Sequence, residues 1–237
     1  MICGNGILLQ EDSLIISNHM KRIVIICEGE TEQEFCNKSL SNHFNPKDIY
    51  IQAPRIKHSN GGIVRWDRLK RQIETTLRED RQAYVTLLID YYGLYEKYKF
   101  PGWDEAQAIV GKNERMDYLE EHMKLDIDEE LRHRFIPYIQ LHEFEGLLFC
   151  DVDVFRQLVP PEELKGLQEL TEAIENNPNP EMINNSRETS PSHRLLRIIE
   201  GYNKIVYGNI IAETIGLDAI RSKCPRFNNW IATLENV

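Results

Sequence analysis

The chain has 237 residues, 41% hydrophobic and 28% charged, which suits one core of ordinary size or one domain with a substantial extension. Its formal net charge of -10 makes the molecule repel polyanions at long range, so nucleic-acid binding would need a local basic surface or a divalent cation. No stretch approaches the roughly 18 uninterrupted apolar residues of a membrane span, and Met1 to Asn18 lacks the basic start and compact apolar stretch of a secretory leader. Cys3, Cys27, Cys36, Cys150 and Cys224 form no C-x-x-C pair and two of them lie inside apolar runs. That pattern points to reduced core thiols in a cytoplasmic protein rather than a disulfide framework or a zinc site.

Met20-Lys21-Arg22-Ile23 reads like a natural start just before a first strand, so residues 1–19 are expected to be an extension outside the core. Ile23 to Cys27 is a continuous β-branched apolar run, the pattern of a strand buried on both faces of a parallel sheet. It ends on Glu28. Gly29 suits a tight strand-to-helix turn, and Thr31 with Glu34 fits a capping box that starts a helix. Glu30 and Glu32 follow closely; in their blander role these acids only favour the positive end of the helix dipole.

Ile49 to Ile56 is the expected second strand, and Gly61-Gly62 opens a loop. Trp66, Leu69, Ile73 and Leu77 then form the apolar stripe of a second helix. Arg65, Arg68, Lys70, Arg71, Arg78 and Arg81 lie on its other faces, as a solvated surface or a phosphate-facing one. Ala83 to Ile89 is a second strongly buried strand, and it too ends in a carboxylate, Asp90, within Asp90-Tyr91-Tyr92-Gly93. An aromatic-rich loop over 94–103 leads to a helical stretch capped by Asp104, interrupted near Gly111 and ending about His122.

Phe135 to Leu141 is the last expected strand, and it delivers His142-Glu143-Phe144-Glu145-Gly146. The zinc-protease pattern H-E-x-x-H fails because Gly146 stands at its last position, which leaves His142 a supporting residue more than a ligand. Beyond Asp151 the pattern is helical over 154–158, 161–175, 193–202, 205–213 and 225–234, with an Asn-, Pro- and Ser-rich loop from Asn176 to Pro191. The chain therefore divides into the extension, an α/β core over 20–150 and a helical part over 151–237 packed on it.

Strands alternating with helices imply a parallel sheet whose strand ends share one edge. Glu28, Asp90 and Glu143 or Glu145 would then gather there. Crowded carboxylates raise one another's pKa unless a cation lies among them, and Mg²⁺ or Mn²⁺, which accept carboxylate and phosphate oxygens together, direct such a site to phosphoryl chemistry. Ser192, His193 and Arg194 at a helix start, with Arg226 from the last helix, are candidate phosphate contacts, and an ordinary helix cap fits them as well.

Glu28-Gly-Glu-Thr-Glu32 and Asp90-Tyr-Tyr-Gly93, each after a buried strand, resemble the TOPRIM fold of topoisomerases, primases and OLD-type nucleases. His142-Glu-Phe-Glu-Gly-Leu-Leu-Phe149, Pro191-Ser-His-Arg194 and Cys224-Pro-Arg-Phe-x-x-Trp230 are similar to signatures of a bacterial TOPRIM-like family, domain of unknown function 4276. The resemblance covers residues 21 to 235. It implies a TOPRIM-like, mostly parallel four-stranded sheet and a metal-dependent nuclease of anti-phage defence, working beside an ABC- or AAA-type ATPase. It carries over Glu28 as general acid/base or metal-adjacent glutamate and Asp90 as metal ligand, in a candidate metal set of Glu28, Glu32, Asp90, Glu143 and Glu145 and a catalytic set of Glu28, Asp90 and Glu143. Two departures stand out. Tyr92 occupies the place of the second aspartate of D-x-D, and His193 that of an expected lysine. The alternative expectation is a non-catalytic module that docks on an ATPase.

Overall fold

The computed structural model describes residues 20–59, 62–183 and 187–237. The expected extension over 1–19, with Cys3, lies outside the described residues, as do Gly61 of the expected glycine loop and residues 184–186 of the Asn- and Pro-rich one. The described chain is an α/β structure around four strands, β1 (Lys21–Cys27), β2 (Ile49–Gln52), β3 (Ala83–Leu88) and β4 (Phe135–Ile136), in the order β2-β1-β3-β4. Every ladder is parallel.

β1 reads as an unbroken apolar run because both its faces are covered. Ile23, Ile25 and Cys27 belong to one core layer, and Val24 and Ile26 to the layer on the opposite face. The first layer packs α1 (Glu30–Phe35) and its continuation α2 (Ser41–Phe44) against the sheet. It also holds α6 (Val152–Leu158), α7 (Leu167–Glu175), α8 (Pro191–Ile198), α9 (Lys204–Ile215), α10 (Leu217–Lys223) and α11 (Pro225–Glu235). The opposite layer holds α3 (Trp66–Glu79), whose whole expected stripe is buried, with α4 (Trp103–Gln107) and α5 (Lys112–Asp126). Each such buried aliphatic side chain contributes about 1.5–3 kcal/mol by leaving water. The C-terminal helices are tied directly to the sheet: Trp230 Nε1 donates to Thr86 Oγ1 at 2.9 Å, and its ring stacks on Tyr138 at 4.5 Å.

Several boundaries differ from the sequence expectation. β2 and β4 are shorter than their apolar runs, β2 stopping before Pro54 and β4 before Pro137, neither of which has an N–H for a ladder. Gly29, not Thr31, is the N-cap of α1, because the Glu32 carboxylate accepts the Gly29 N–H at 2.9 Å and closes the first turn. Gly102, at φ 70°, precedes α4 where Asp104 was the expected cap. α10 was not foreseen. Cys27, Cys36, Cys150 and Cys224 are free and buried, and among the described residues no helix is long and apolar enough to cross a membrane.

Candidate active site

The order β2-β1-β3 reverses direction between β1 and β3, and in open α/β sheets the crevice beyond the carboxyl ends of such a strand pair is where ligands bind. Cys27 pairs with Leu88 in that ladder, so the next residues on each strand, Glu28 and then Ile89-Asp90, emerge side by side. Glu28 N–H donates to Leu88 O at 3.0 Å, and Asp90 N–H returns to Glu28 Oε2 at 3.0 Å. The third strand end arrives through a short bridge past Pro137: Gln140 N–H donates to Ile89 O at 2.8 Å and Tyr91 N–H to Gln140 O at 2.9 Å. The segment after it turns at His142, φ 68°, and Phe144 N–H donates to Asp90 Oδ1 at 2.9 Å.

Four acids of the expected set meet at this edge. Asp90, Glu32 and Glu145 are all buried, Glu145 completely. Burial pushes the Glu28 carboxyl up to about 7, the Asp90 amide partly opposing this and the nearby Glu32 and Glu145 adding to it. Burial, then Glu28 and Glu32, hold Asp90 well above the usual carboxylate range. Glu145 is also raised, by burial, against the opposing pull of Lys204.

Glu143 does something different. Its two oxygens accept Ser192 N–H and Ser192 Oγ–H, both at 2.9 Å, so it caps the start of α8. The neighbour two residues on is the one left facing the cluster: neither Glu145 oxygen has a well-aligned hydrogen bond, although an ammonium lies 2.9 Å from Oε1. The hydroxyl of Tyr202 is likewise buried without a partner, and Glu145 contributes to its raised pKa after burial.

That ammonium belongs to Lys204, which sequence reasoning missed. It reaches Glu145 at 2.9 Å and Glu32 at 4.0 Å. Burial alone would lower its pKa, but the charges of Glu145, Asp90 and Glu32 outweigh this and raise it. A local signal existed. Lys204 follows the N-cap Asn203, whose Oδ1 accepts two amides of the first turn of α9, and a cation at a helix N-terminus opposes the dipole. α9 is brought over the site by α1, to which Asn209 Nδ2 donates at Thr31 O.

The other expected contacts are committed elsewhere. Tyr92 supplies no carboxylate, and its N–H donates to His142 O at 2.7 Å. His142 is pushed down to about 4 by burial and by Lys112, whose Nζ lies 2.9 Å from Nε2, so it stays neutral. His193 pairs with Ser190 Oγ at 2.9 Å, and Arg194 donates to Thr189 O and Glu169. Arg226 forms ion pairs with Asp117 and with Glu120, the latter at 2.5 Å. The phosphate set Ser192, His193, Arg194 and Arg226 therefore serves internal contacts in this conformation.

The donor chemistry at the edge fits a hard divalent cation: carboxylate oxygens only, with the Glu145 oxygens buried and incompletely satisfied. As the side chains stand, no three of the described His, Cys, Asp and Glu residues converge closely enough to hold an ion, and Lys204 provides the compensating charge.

Fold and site together define an α/β protein with an acidic cluster at the switch point of a parallel sheet. Residues 27–235 match the family described as Domain of unknown function (DUF4276), and the chain belongs to that family. Comparison with curated proteins gives no match. Comparison with solved structures gives none either.

Proposed function

We propose that this chain is a metal-dependent nuclease, hydrolysing phosphodiester bonds of DNA or RNA at the edge formed by Glu28, Asp90 and Glu145. The observation that carries the reading is the gathering of four acids from three segments at the switch point, Glu32, Asp90 and Glu145 of them buried and Glu28 pushed up to about 7. Structural acids are normally paired one to one; here several share one lysine. Mg²⁺ or Mn²⁺ held by free oxygens of Glu28, Asp90 and Glu145 would polarise a phosphoryl oxygen and lower the pKa of attacking water. Glu28 Oε2 is fixed by the Asp90 amide, which leaves Oε1 free to face the ion. Lys204, already at the cluster, is positioned to oppose negative charge developing on a phosphate. Glu32 orients α1 through Gly29 and adds to the field.

The reading is consistent with the TOPRIM resemblance, and through it extends to a cytoplasmic effector of anti-phage defence beside an ATPase partner; four free buried cysteines suit a reducing compartment. One observation favours a non-catalytic docking module instead. Lys204 already sets a cation against Glu145, and farther along the same helix Val206 and Ile210 stand 52% and 45% exposed.

The test is cleavage of supercoiled plasmid, linear DNA and RNA with Mg²⁺ or Mn²⁺ and with chelator, comparing wild type with Glu28→Gln and Asp90→Asn. Metal-dependent cutting lost by at least a thousandfold in both variants supports hydrolysis at this edge. Inertness of wild type even with its ATPase neighbour present leaves the docking module as the better account.

A further inference from the structure

A cavity of about 510 Å³ opens between the loop after β2 and the outer face of α3, lined by Lys57, His58, Arg68, Arg71, Gln72 and Thr75. Every ionisable group in this lining is basic. That is unexpected in a chain where Asp and Glu outnumber Lys and Arg by 38 to 28. The remaining cations of α3 and its N-cap are paired nearby, Arg65 with Asp67, Lys70 with Asp126, and Arg78 with Asp128 and Glu74. Lys57, Arg68 and Arg71 form no ion pair with any described carboxylate.

The cavity is also built rather than incidental. Gln72, buried at 8% exposure, accepts the Lys57 N–H at 2.8 Å and donates to Arg55 O at 3.1 Å, fastening the loop to the helix. His58 sits at φ 59°, a left-handed conformation uncommon for non-glycine residues.

Its position links it to the acidic edge. Cys27 N–H donates to Pro54 O at 2.9 Å and Ile56 N–H to Cys27 O at 3.0 Å, so the loop runs along the end of β1 immediately before Glu28 and then supplies Lys57 and His58. The same loop returns past the site: a Cβ placed on Gly62 would stand 4.0 Å from Glu28 Oε1.

We propose that this cavity binds consecutive phosphates of a nucleic-acid strand and holds the strand so that its continuation crosses the Glu28–Asp90 edge. Resting on the nuclease reading above, this supplies the substrate track that the overall charge of the chain would otherwise deny. Arg68 and Arg71 lie on one face of the helix as successive phosphate contacts, with Lys57 and His58 on the opposite wall.

The test measures binding of short fluorescent single-stranded DNA, RNA and duplex probes by anisotropy in chelator, for wild type, Arg68→Ala, Arg71→Ala and the charge-matched control Arg81→Ala. Expected is a several-fold loss of affinity for each of Arg68→Ala and Arg71→Ala and a salt slope shallower by about 1 per arginine removed. Arg81→Ala should retain affinity. Equal affinity of all variants, or a wild type that binds free nucleoside triphosphate but no strand, overturns the proposal. A parallel cleavage arm with Mn²⁺ separates the two readings. Binding that depends on Arg68 and Arg71 without cleavage removes hydrolysis and keeps the track, whereas cleavage and binding unimpaired by their loss keeps hydrolysis and removes the track.

Discussion

Lys204 Nζ lies 2.9 Å from Glu145 Oε1, one lysine serving a cluster to which Glu28, Glu32 and Asp90 also belong. Removing that ammonium as Lys204→Met leaves the buried acids facing one another. The folded pKa values of Glu28, Asp90 and Glu145 lie above their unfolded ones. The native state then binds more protons than the unfolded state across that interval, and stability is lost as pH rises through the folded values. The variant is expected to be less stable than wild type at pH 8 by about 1–3 kcal/mol, at the low end because the lysine side chain is 46% exposed. The gap should narrow toward pH 5. Urea unfolding at both pH values measures it, and equal stability at pH 8 would show that Lys204 compensates nothing.

Glu143 and Glu145 should respond in opposite ways. Glu143→Ala strands the amide and hydroxyl of Ser192 at the start of α8 and is expected to cost about 1–3 kcal/mol. Glu145→Ala removes an incompletely satisfied buried acid, so little stability is lost while metal affinity falls at least tenfold. Thermal unfolding and metal titration on the two variants separate a cap from a ligand. A Glu143→Ala protein as stable as wild type contradicts the division.

A second pH window has the reverse sign. Arg221, then Lys47 and His43, hold Glu235 down at about 2, with Arg221 contacts of 2.9 and 3.1 Å. Its folded pKa lies below the unfolded value, so its contribution is present above about pH 4.5 and is lost as pH falls toward 2. Partial exposure limits that contribution to about 1–2 kcal/mol. Glu235→Gln should therefore lose stability at pH 6, with the gap shrinking as pH falls toward 2, as read by denaturant midpoints.

How far the sequence reaches is visible at particular residues. β1 and β3 are legible because double-sided burial writes an uninterrupted apolar run, and their terminal acids follow at once in the chain. Pro54 and Pro137 stop the ladders while the apolar pattern continues, which is why β2 and β4 come out shorter than their runs. Ser192, far along the chain, engages Glu143 and leaves Glu145 facing the cluster, and no local pattern carries that. Lys204 arrives from α9 for the same reason, flagged only by its unfavourable place at a helix N-terminus. The basic face of α3 divides into paired cations and the two, Arg68 and Arg71, left in the cavity only once Asp126 and Asp128 are in place.

The most direct measurement is calorimetric titration of Mn²⁺ into wild type, Glu28→Gln, Asp90→Asn and Glu143→Ala at pH 8. Above its raised pKa Glu28 is ionised, so one site per chain is expected in wild type, weaker at pH 6 because protons compete. Glu28→Gln and Asp90→Asn should abolish it and a folded Glu143→Ala should retain it. Absence of Mn²⁺ binding by wild type at millimolar concentration, or binding that survives both acid substitutions, would contradict a metal-dependent edge.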